Sequence, residues 1–219
     1  MDKKREEFIP PLKYRWLTGF YDPLLAHALR ESTFKPHLVD QASIKNGHRV
    51  LDLGCGTATL TCLIKKAHPE AEVVGLDGDQ TVLDIARGKA AKAGMDVTLD
   101  HGMAFDLPYP DDSFDRVLSS LLFHHLTREN KVATLREVFR VLRPDGELHV
   151  ADWGKPHNWL MGIAFLAVRL LDGFETTEDN VKGLLPELFA QPGFEDIQES
   201  GRYMTVFGTL LLYKALKRE

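Results

Sequence analysis

Two acidic residues and a pair of glycines have the types and the spacing to bind an adenosine compound. Asp52 stands two residues before Gly54, and Gly56 completes a turn of small residues. Asp77 follows Gly56 by 21 residues and ends a second apolar run. Glycines let a backbone approach a ligand closely, and an acid at the end of a second strand can accept the hydroxyls of a ribose. The spacing therefore predicts a nucleoside-binding crevice in which Asp77 binds the sugar.

The charge of Asp52 narrows the ligands that this crevice suits. A carboxylate beside the turn repels a pyrophosphate, whereas it attracts a ligand that carries an amine or a sulfonium. The phosphate-binding pattern G-x-x-x-x-G-K-[ST] is not met here, because Thr-Ala-Thr follows Gly56 without a lysine. The dinucleotide pattern G-x-G-x-x-G fails at Thr59. Asp77 also suits a nicotinamide cofactor, so a nicotinamide-dependent oxidoreductase stays open as an alternative.

The elements that position these residues alternate between strands and helices. Residues 50–53 form an apolar strand, and apolar residues at helical spacing follow the turn at Leu60, Leu63, Ile64 and Ala67. Further strands are predicted at residues 73–76, 97–101 and 147–151, and residues 112–120 are predicted to form a turn that leads into a central strand. An antiparallel pair over residues 194–199 and 203–214 completes the sheet. This order predicts a doubly wound α/β fold.

Three motifs of this chain are similar to those of a known family. Residues 50–57, VLDLGCGT, resemble the first motif of the class I S-adenosylmethionine-dependent methyltransferases at every position. The D-x-S-F-D pattern that ends at Asp115 and the L-R-P-D-G turn at residues 142–146 resemble two further signatures. The resemblance covers residues 48–156. It implies a Rossmann-like, seven-stranded, mostly parallel sheet with helices on both faces and an antiparallel last strand, across which S-adenosyl-L-methionine lies.

Two more segments resemble the quinone-type (methyltransferase type 11) branch of that family. They are Phe20-Tyr21-Asp22, upstream of the first motif, and residues 152–156, DWGKP. The resemblance implies transfer of a methyl group to a small, apolar acceptor by in-line displacement. Positioning alone can supply ~7–11 kcal/mol of the barrier in such a step. A non-catalytic protein that binds S-adenosylmethionine stays open as a second alternative.

The same resemblance implies which residues bind the cofactor. They are Tyr21, Asp52, Gly54, Cys55, Gly56, Thr57, Asp77, Gly78, Met103, Ala104, Ser119 and Leu121. Met103 departs from the family, which usually has an aspartate there that meets the adenine amine. A thioether accepts a hydrogen bond only weakly. Water or another acceptor, for which Asp106 is a candidate, would then meet the amine.

His124 and Asp152 are the candidate catalytic residues. His124 follows the fourth strand, where ligands bind in open α/β sheets, and an imidazole transfers protons near neutral pH. Asp152 follows the fifth strand and is expected near the same crevice. A structural role for His124 and its neighbour His125 is the alternative. Adjacent positions are expected to point in different directions, which argues against a shared metal, and no metal site is predicted.

The chain length of 219 residues favours a single domain over residues 1–219. Its expected parts are an N-terminal helical lid at 1–45, a cofactor-binding core at 46–156, a helical cap at 157–192 and a final strand pair at 193–219. Pro36 is expected in the first turn of a short helix of the lid. Residues 177–191 are expected to form one helix of the cap.

Composition bounds the partners of the chain. A net charge of −5 argues against nucleic acid as a substrate. Two cysteines and the lack of an apolar leader favour a cytoplasmic protein. The apolar run at residues 159–168 is shorter than the ~20 residues that a bilayer requires, so no stable membrane insertion is expected. That run is a cap over a lipophilic small-molecule acceptor, an interfacial helix or a dimer face, which leaves a homodimer through residues 157–172 open.

Overall fold

A computed structural model gives the fold of the chain and describes residues 31–157 and 159–218. Within these ranges seven strands form one sheet and seven α-helices pack around it. The strands are β1 (Arg49–Leu53), β2 (Glu72–Asp77), β3 (Thr98–His101), β4 (Phe114–Ser120), β5 (Leu142–Trp153), β6 (Glu195–Met204) and β7 (Thr209–Leu216). The helices are α1 (Glu31–Gln41), α2 (Thr59–Ala67), α3 (Gln80–Lys92), α4 (Arg128–Val141), α5 (Trp159–Asp172), α6 (Phe174–Lys182) and α7 (Leu185–Ala190), and a 3-10 turn spans Phe123–His125.

The strand order β3-β2-β1-β4-β5-β7-β6 confirms the predicted fold class. Strands β1 to β5 run parallel, and β7 runs antiparallel to both β5 and β6. The register pairs Asp52 with Gly75, Leu53 with Ser119, and Asp77 with His101. Since parallel strands end at one edge of a sheet, the ends of β1, β2, β3 and β4 meet at the edge where ligands bind in such folds.

Helices cover both faces of the sheet because the side chains of each strand alternate between the faces. On β1, Val50 packs in the cluster that includes α1, α2 and α5, whereas Leu51 and Leu53 pack in the cluster that includes α4 and α7. Asp52 shares the face of Val50 by this alternation, and its side chain is 1% exposed. Asp52, one of the two acids from which the nucleoside site is predicted, is therefore part of the core beneath α2.

The expected single helix at residues 177–191 is wrong, because the structure divides the segment into α6 and α7. Gly183 adopts φ +74°, and its N–H donates to the carbonyl of Asn180 at 3.1 Å. A glycine in the left-handed region ends a helix, and the proline at Pro186 suits the first turn of the next one. The apolar run forms α5, and none of the helices within the described ranges is long and apolar enough to cross a bilayer.

The expectation for Pro36 is also wrong, since this residue lies inside α1 and not in its first turn. A proline there removes one backbone hydrogen bond of the helix. Phe34, Leu38 and Val39 of α1 are at most 1% exposed, so burial of one helix face offsets that loss. Residues 1–30 of the predicted lid, with Tyr21, lie outside the described residues.

Candidate functional site

The turn after β1 is held against the end of β2 by its own backbone. The N–H groups of Gly54 and Cys55 donate to the carbonyl of Leu76 at 2.8 and 3.0 Å. Gly54 has φ +73°, and a Cβ there would lie 2.9 Å from the side chain of Leu122. Gly56 has φ +54°, but a Cβ there would have no atom within 4 Å. Gly54 therefore serves packing, whereas Gly56 borders open space at the ligand edge of the sheet.

Asp52 forms a buried hydrogen bond with a residue that the motif analysis missed. Its Oδ2 accepts from the Thr61 hydroxyl at 2.6 Å, and neither side chain is more than 1% exposed. Burial raises the pKa of the Asp52 carboxyl to about 6, while the Thr61 bond and the charge of Lys35 lower it. The sequence signal for Thr61 was a polar residue on the buried face of the helix that follows the turn. Asp52 thus lies next to the turn without facing solvent.

Asp77 joins the turn after β1 to the turn after β2. Its Oδ2 accepts from the Gly56 N–H at 2.8 Å, and its Oδ1 accepts from the Asp79 N–H at 2.9 Å. Burial raises the pKa of this carboxyl, and the same two backbone bonds lower it. A carboxylate has about four acceptor positions, so two backbone donors leave room for hydroxyl donors of a ligand. Asp77 is half-buried, and its neighbour Gly78 is half-buried as well.

The segment after β3 lies beside Asp77. The N–H of Gly102 donates to the carbonyl of Asp77 at 3.1 Å. Met103 is half-buried, Ala104 is buried, and a tight turn joins the Met103 carbonyl to the N–H of Asp106 at 3.1 Å. Asp106 itself is exposed. The structure thus brings Met103 and Ala104 to the same edge as the two acids.

The end of β4 carries two more of the predicted cofactor residues, and the turn after β1 carries two others. The hydroxyl of Ser119 is buried and donates to the carbonyl of Leu53 at 2.9 Å, so this side chain ties β4 to β1. Leu121 adopts φ +59°, an uncommon conformation for a leucine and one that clusters at functional sites. Thr57 is half-buried, and burial raises the pKa of the Cys55 thiol. Cys55 is therefore a neutral thiol that lines the turn.

His124 and Asp152, the predicted catalytic pair, are in direct contact. Nδ1 of His124 lies 2.8 Å from Oδ1 of Asp152, and both side chains are at most 4% exposed. The Asp152 carboxylate also accepts from the backbone N–H groups of Phe123 and Trp153, each at 2.7 Å, and from the side-chain amide of Asn180 at 3.1 Å. These donors hold the Asp152 carboxylate beside the ring of His124.

The expectation that His124 and His125 point in different directions is wrong. Their ring centroids lie 4.0 Å apart with an interplanar angle of 41°. Both residues lie in the 3-10 turn after the end of β4. Burial and the adjacent His124 lower the pKa of His125 well below its ordinary value.

Helix α6 holds the cap against the His124–Asp152 pair through contacts that sequence reasoning missed. The amide of Asn180 donates to Asp152 and, at 2.9 Å, to the carbonyl of Trp153. Asp179 accepts from Lys131 at 3.3 Å and from Arg128 at 2.6 Å, and Lys131 is fully buried. These residues are distant in sequence and match no motif, so only the fold could show that they share a site.

The core of the chain is similar in sequence to known proteins. Residues 50–146 match the family described as "Methyltransferase domain". The chain is 38% identical over 127 residues to a demethylmenaquinone methyltransferase of Thermus thermophilus, an alignment that covers 58% of this chain and 57% of that protein. It is also 37% identical over 116 residues to a demethylmenaquinone methyltransferase of Listeria monocytogenes, an alignment that covers 52% of this chain and 48% of that protein. The chain therefore spans about half the length of the curated relatives it matches.

Solved structures share the fold of this chain. The YcgJ protein of Bacillus subtilis superposes with a TM-score of 0.69 at 20% identity, covering 84% of this chain and 98% of that one. The phospholethanolamine N-methyltransferase 2 of Haemonchus contortus, determined with S-adenosylhomocysteine, superposes with a TM-score of 0.70 at 16% identity. The superposition covers 85% of this chain and 52% of that one. At these identities the likeness shows the fold.

The chemistry of the crevice fits the S-adenosylmethionine of this family. Gly56 borders open space, Asp77 accepts from its N–H, and the Asp52 carboxylate is buried next to the turn. Two acids at this point favour the amine and sulfonium of a methyl donor over a diphosphate. Asp77 retains acceptor positions for ribose hydroxyls. The residues present are therefore compatible with this cofactor.

Proposed function

We propose that the protein uses S-adenosylmethionine to methylate a small, apolar acceptor by in-line displacement. The observation that carries this proposal is the Gly54–Gly56 turn with buried Asp52 beneath it and Asp77 bonded to its backbone. The matched family and the demethylmenaquinone methyltransferase relatives support it. A quinone-type aromatic acceptor is the substrate class that these relatives favour.

The residues that would hold the cofactor are those predicted at the edge of the sheet. Asp77 and Gly78 would hold the ribose, the Gly54–Gly56 turn the methionine part, and Met103 with Ala104 the adenine. When bound, S-adenosylmethionine supplies an electrophilic methyl group on a sulfonium. The work of the chain is then to orient the acceptor and to exclude water from the displacement.

His124 is proposed to take the proton that a hydroxylated acceptor loses. Asp152 accepts from Nδ1–H of His124, which sets the tautomer and places the lone pair of the neutral ring on Nε2. Trp153 lies beside this ring, with centroids 6.3 Å apart, and Phe165 of α5 packs on Trp153 at 5.2 Å. The base is thus bordered by aromatic rings, a setting that suits an apolar, aromatic acceptor.

Isothermal titration with S-adenosylhomocysteine, the product of the cofactor, tests the proposed site. The wild-type protein is expected to bind, and Asp77→Ala is expected to weaken binding by ten- to a hundredfold, on the ~1.5–3 kcal/mol scale of bonds to a charged group. Asp84→Ala, an exposed acid on α3, is the matched control and should bind as the wild type does. If Asp77→Ala does not fold, Asp77→Asn is used in its place to test the same loss of affinity. No binding to the wild-type protein at millimolar ligand would reject the function.

The acceptor class is tested by turnover. With a short-chain demethylmenaquinone kept reduced, the protein is expected to form S-adenosylhomocysteine and a product heavier by one methylene. A panel of phenols, amines and thiols provides the comparison. Turnover of an amine or a thiol without the quinol would move the acceptor to another class.

Two further predictions concern the setting of the protein. The exposed side chains of Trp159, Ile163 and Leu170 on α5 support a homodimer contact within residues 157–172.

Cys55 and Cys62 are both free thiols, which supports a cytoplasmic setting.

A further inference from the structure

Met103 leaves the adenine amine without the acceptor that this family usually provides. The sulfur of a methionine accepts a hydrogen bond only weakly. Yet the segment lies where the adenine is expected, since Gly102 is bonded to Asp77 and Ala104 is buried at the same edge. Another side chain near the ends of β2 and β3 should therefore accept from the amine.

Most acids near these strand ends already hold other donors. Asp100 accepts from the Tyr109 hydroxyl at 2.9 Å, and it belongs to the interior of β3. Asp77 holds the N–H groups of Gly56 and Asp79. Asp79 caps α3 by accepting from the N–H of Thr81 at 2.8 Å. The carboxylates of Asp79 and Asp100 are thus oriented by donors of the chain itself, and Asp77 is the acid proposed for the ribose.

His101 is the polar side chain whose position and chemistry suit the missing acceptor. It is the last residue of β3, pairs with Asp77 in the sheet, and is exposed. Its Nε2 lies 3.0 Å from the carbonyl of Gly78, the residue that follows the ribose-binding acid. The ring therefore spans the two strand ends between which the nucleoside is expected.

The contact with Gly78 determines the tautomer of His101. A carbonyl oxygen can only accept, so Nε2 must carry the hydrogen. In the neutral ring Nδ1 then keeps its lone pair and can accept from an N–H donor. Asp106, the other candidate, is exposed, and its N–H closes a turn with the carbonyl of Met103.

We propose that Nδ1 of His101 accepts a hydrogen bond from the adenine amine and thereby takes the place of the acid that Met103 replaces. This inference rests on the proposed function, because it assumes an adenosine cofactor in the crevice. It makes His101 a residue that determines cofactor specificity: the lone pair of Nδ1 attracts the amine of adenine and repels the oxygen that replaces it in hypoxanthine.

Titration with S-adenosylhomocysteine and with S-inosylhomocysteine, in which an oxygen replaces the amine, tests the proposal. The wild-type protein is expected to prefer the adenosine compound by about tenfold. His101→Gln keeps a donor within reach of the Gly78 carbonyl and has no acceptor at the Nδ1 position. It should bind the adenosine compound about fivefold more weakly, the scale of one hydrogen bond, and lose most of the preference.

His101→Asn is the matched variant, because its side-chain oxygen can occupy the Nδ1 position although it cannot reach Gly78. It should keep the affinity for the adenosine compound within about threefold. If the asparagine variant is the weaker binder, or if both variants weaken both ligands equally, His101 only supports the Gly78 turn and the inference is wrong. If Asp106→Ala abolishes the preference while His101→Gln does not, the acceptor is Asp106. No binding of either ligand to the wild-type protein would instead reject the proposed function.

Discussion

Asp52 combines a buried position with a charge that the proposed ligand needs. Its folded-state pKa of about 6 lies above its ordinary value of 3.8, mainly because of burial. The folded protein therefore binds the proton more tightly than the unfolded chain does. Between about pH 4 and 6 the stability falls as pH rises, and above pH 6 the ionised carboxylate destabilises the fold by up to ~3 kcal/mol. Such a cost is expected where a group serves binding and not stability.

Asp52→Asn should be more stable than the wild type at pH 7, because a neutral amide removes the buried charge and its oxygen can still accept from Thr61. The gain should shrink toward pH 4, and the affinity for S-adenosylhomocysteine should fall. Urea unfolding at several pH values and titration calorimetry measure the two effects. Asp40→Asn, an exposed acid of α1, is the control. A loss of stability of equal size at pH 5 and pH 7 would contradict the argument.

His124→Gln tests the proton-transfer role at the same scale. With a hydroxylated acceptor, kcat should fall by about 10²–10⁴-fold, the usual contribution of a general base. The affinity for S-adenosylhomocysteine should stay within about threefold, because His124 is not among the proposed cofactor residues. A matched variant is His37→Gln, which lies on α1 and contacts Tyr203 at 2.6 Å. If kcat were unchanged in His124→Gln, the proton-transfer role would be wrong and His124 would be a structural residue.

A buried ion pair between Lys131 and Asp179 joins helix α4 to helix α6. Lys131 is fully buried, donates to the Thr176 carbonyl at 2.6 Å, and lies 3.3 Å from Asp179. Burial lowers the pKa of Lys131, while Asp179 raises it. A buried ion pair contributes little net stability, but removal of one partner leaves an uncompensated charge. The same helix supplies Asn180 to Asp152, so its position also determines the geometry of the proposed base.

Asp179→Leu should destabilise the protein by about 3–5 kcal/mol, because Lys131 then lacks its partner. The double variant Lys131→Met, Asp179→Leu should recover at least half of that loss, since both buried charges are gone. Arg128, the other partner of Asp179, is 52% exposed and can turn to solvent. Chemical denaturation of both variants completes the comparison. If the double variant were as unstable as the single one, packing and not charge would hold α6.

At the scale of the whole molecule, α5 presents apolar side chains to the surface while its other side packs on the core. Trp159, Ile163 and Leu170 are 73%, 61% and 68% exposed, whereas Phe165 is buried against Trp153. Their spacing of four and seven residues places them on one side of the helix. A surface of this kind is typical of a protein contact.

The double variant Ile163→Glu, Leu170→Glu should therefore be a monomer at concentrations where the wild type is a dimer, because two buried charges would face each other in the contact. Light scattering coupled to size exclusion measures the mass. Ile85→Glu on α3 is the control, since Ile85 is an exposed apolar residue at 47% outside this surface. A wild-type mass of one chain at every concentration would remove the dimer prediction.

Local patterns in the sequence were sufficient for the fold class. The features used were apolar runs of strand length, the glycines after the first run and the acid after the second. Each acts on the backbone near it, so it can be interpreted without knowledge of distant contacts. The break at Gly183 was missed because one glycine competes with a helical pattern on both of its sides. The place of Pro36 was missed because the burial of Phe34 and Leu38 outweighs a local penalty.

The tertiary structure alone decided which polar groups meet. Thr61 reaches Asp52 only because α2 folds back on β1, and Asn180 reaches Asp152 only because α6 returns to the sheet from 28 residues away. The tautomer of His101 likewise depends on a carbonyl of another strand end. The sequence by itself thus determined the edge of the sheet at which a nucleoside site is predicted, because that edge follows from local strand and turn chemistry. The partners, burial and charge of the groups at that edge depend on contacts between segments far apart in the chain, which no local pattern encodes.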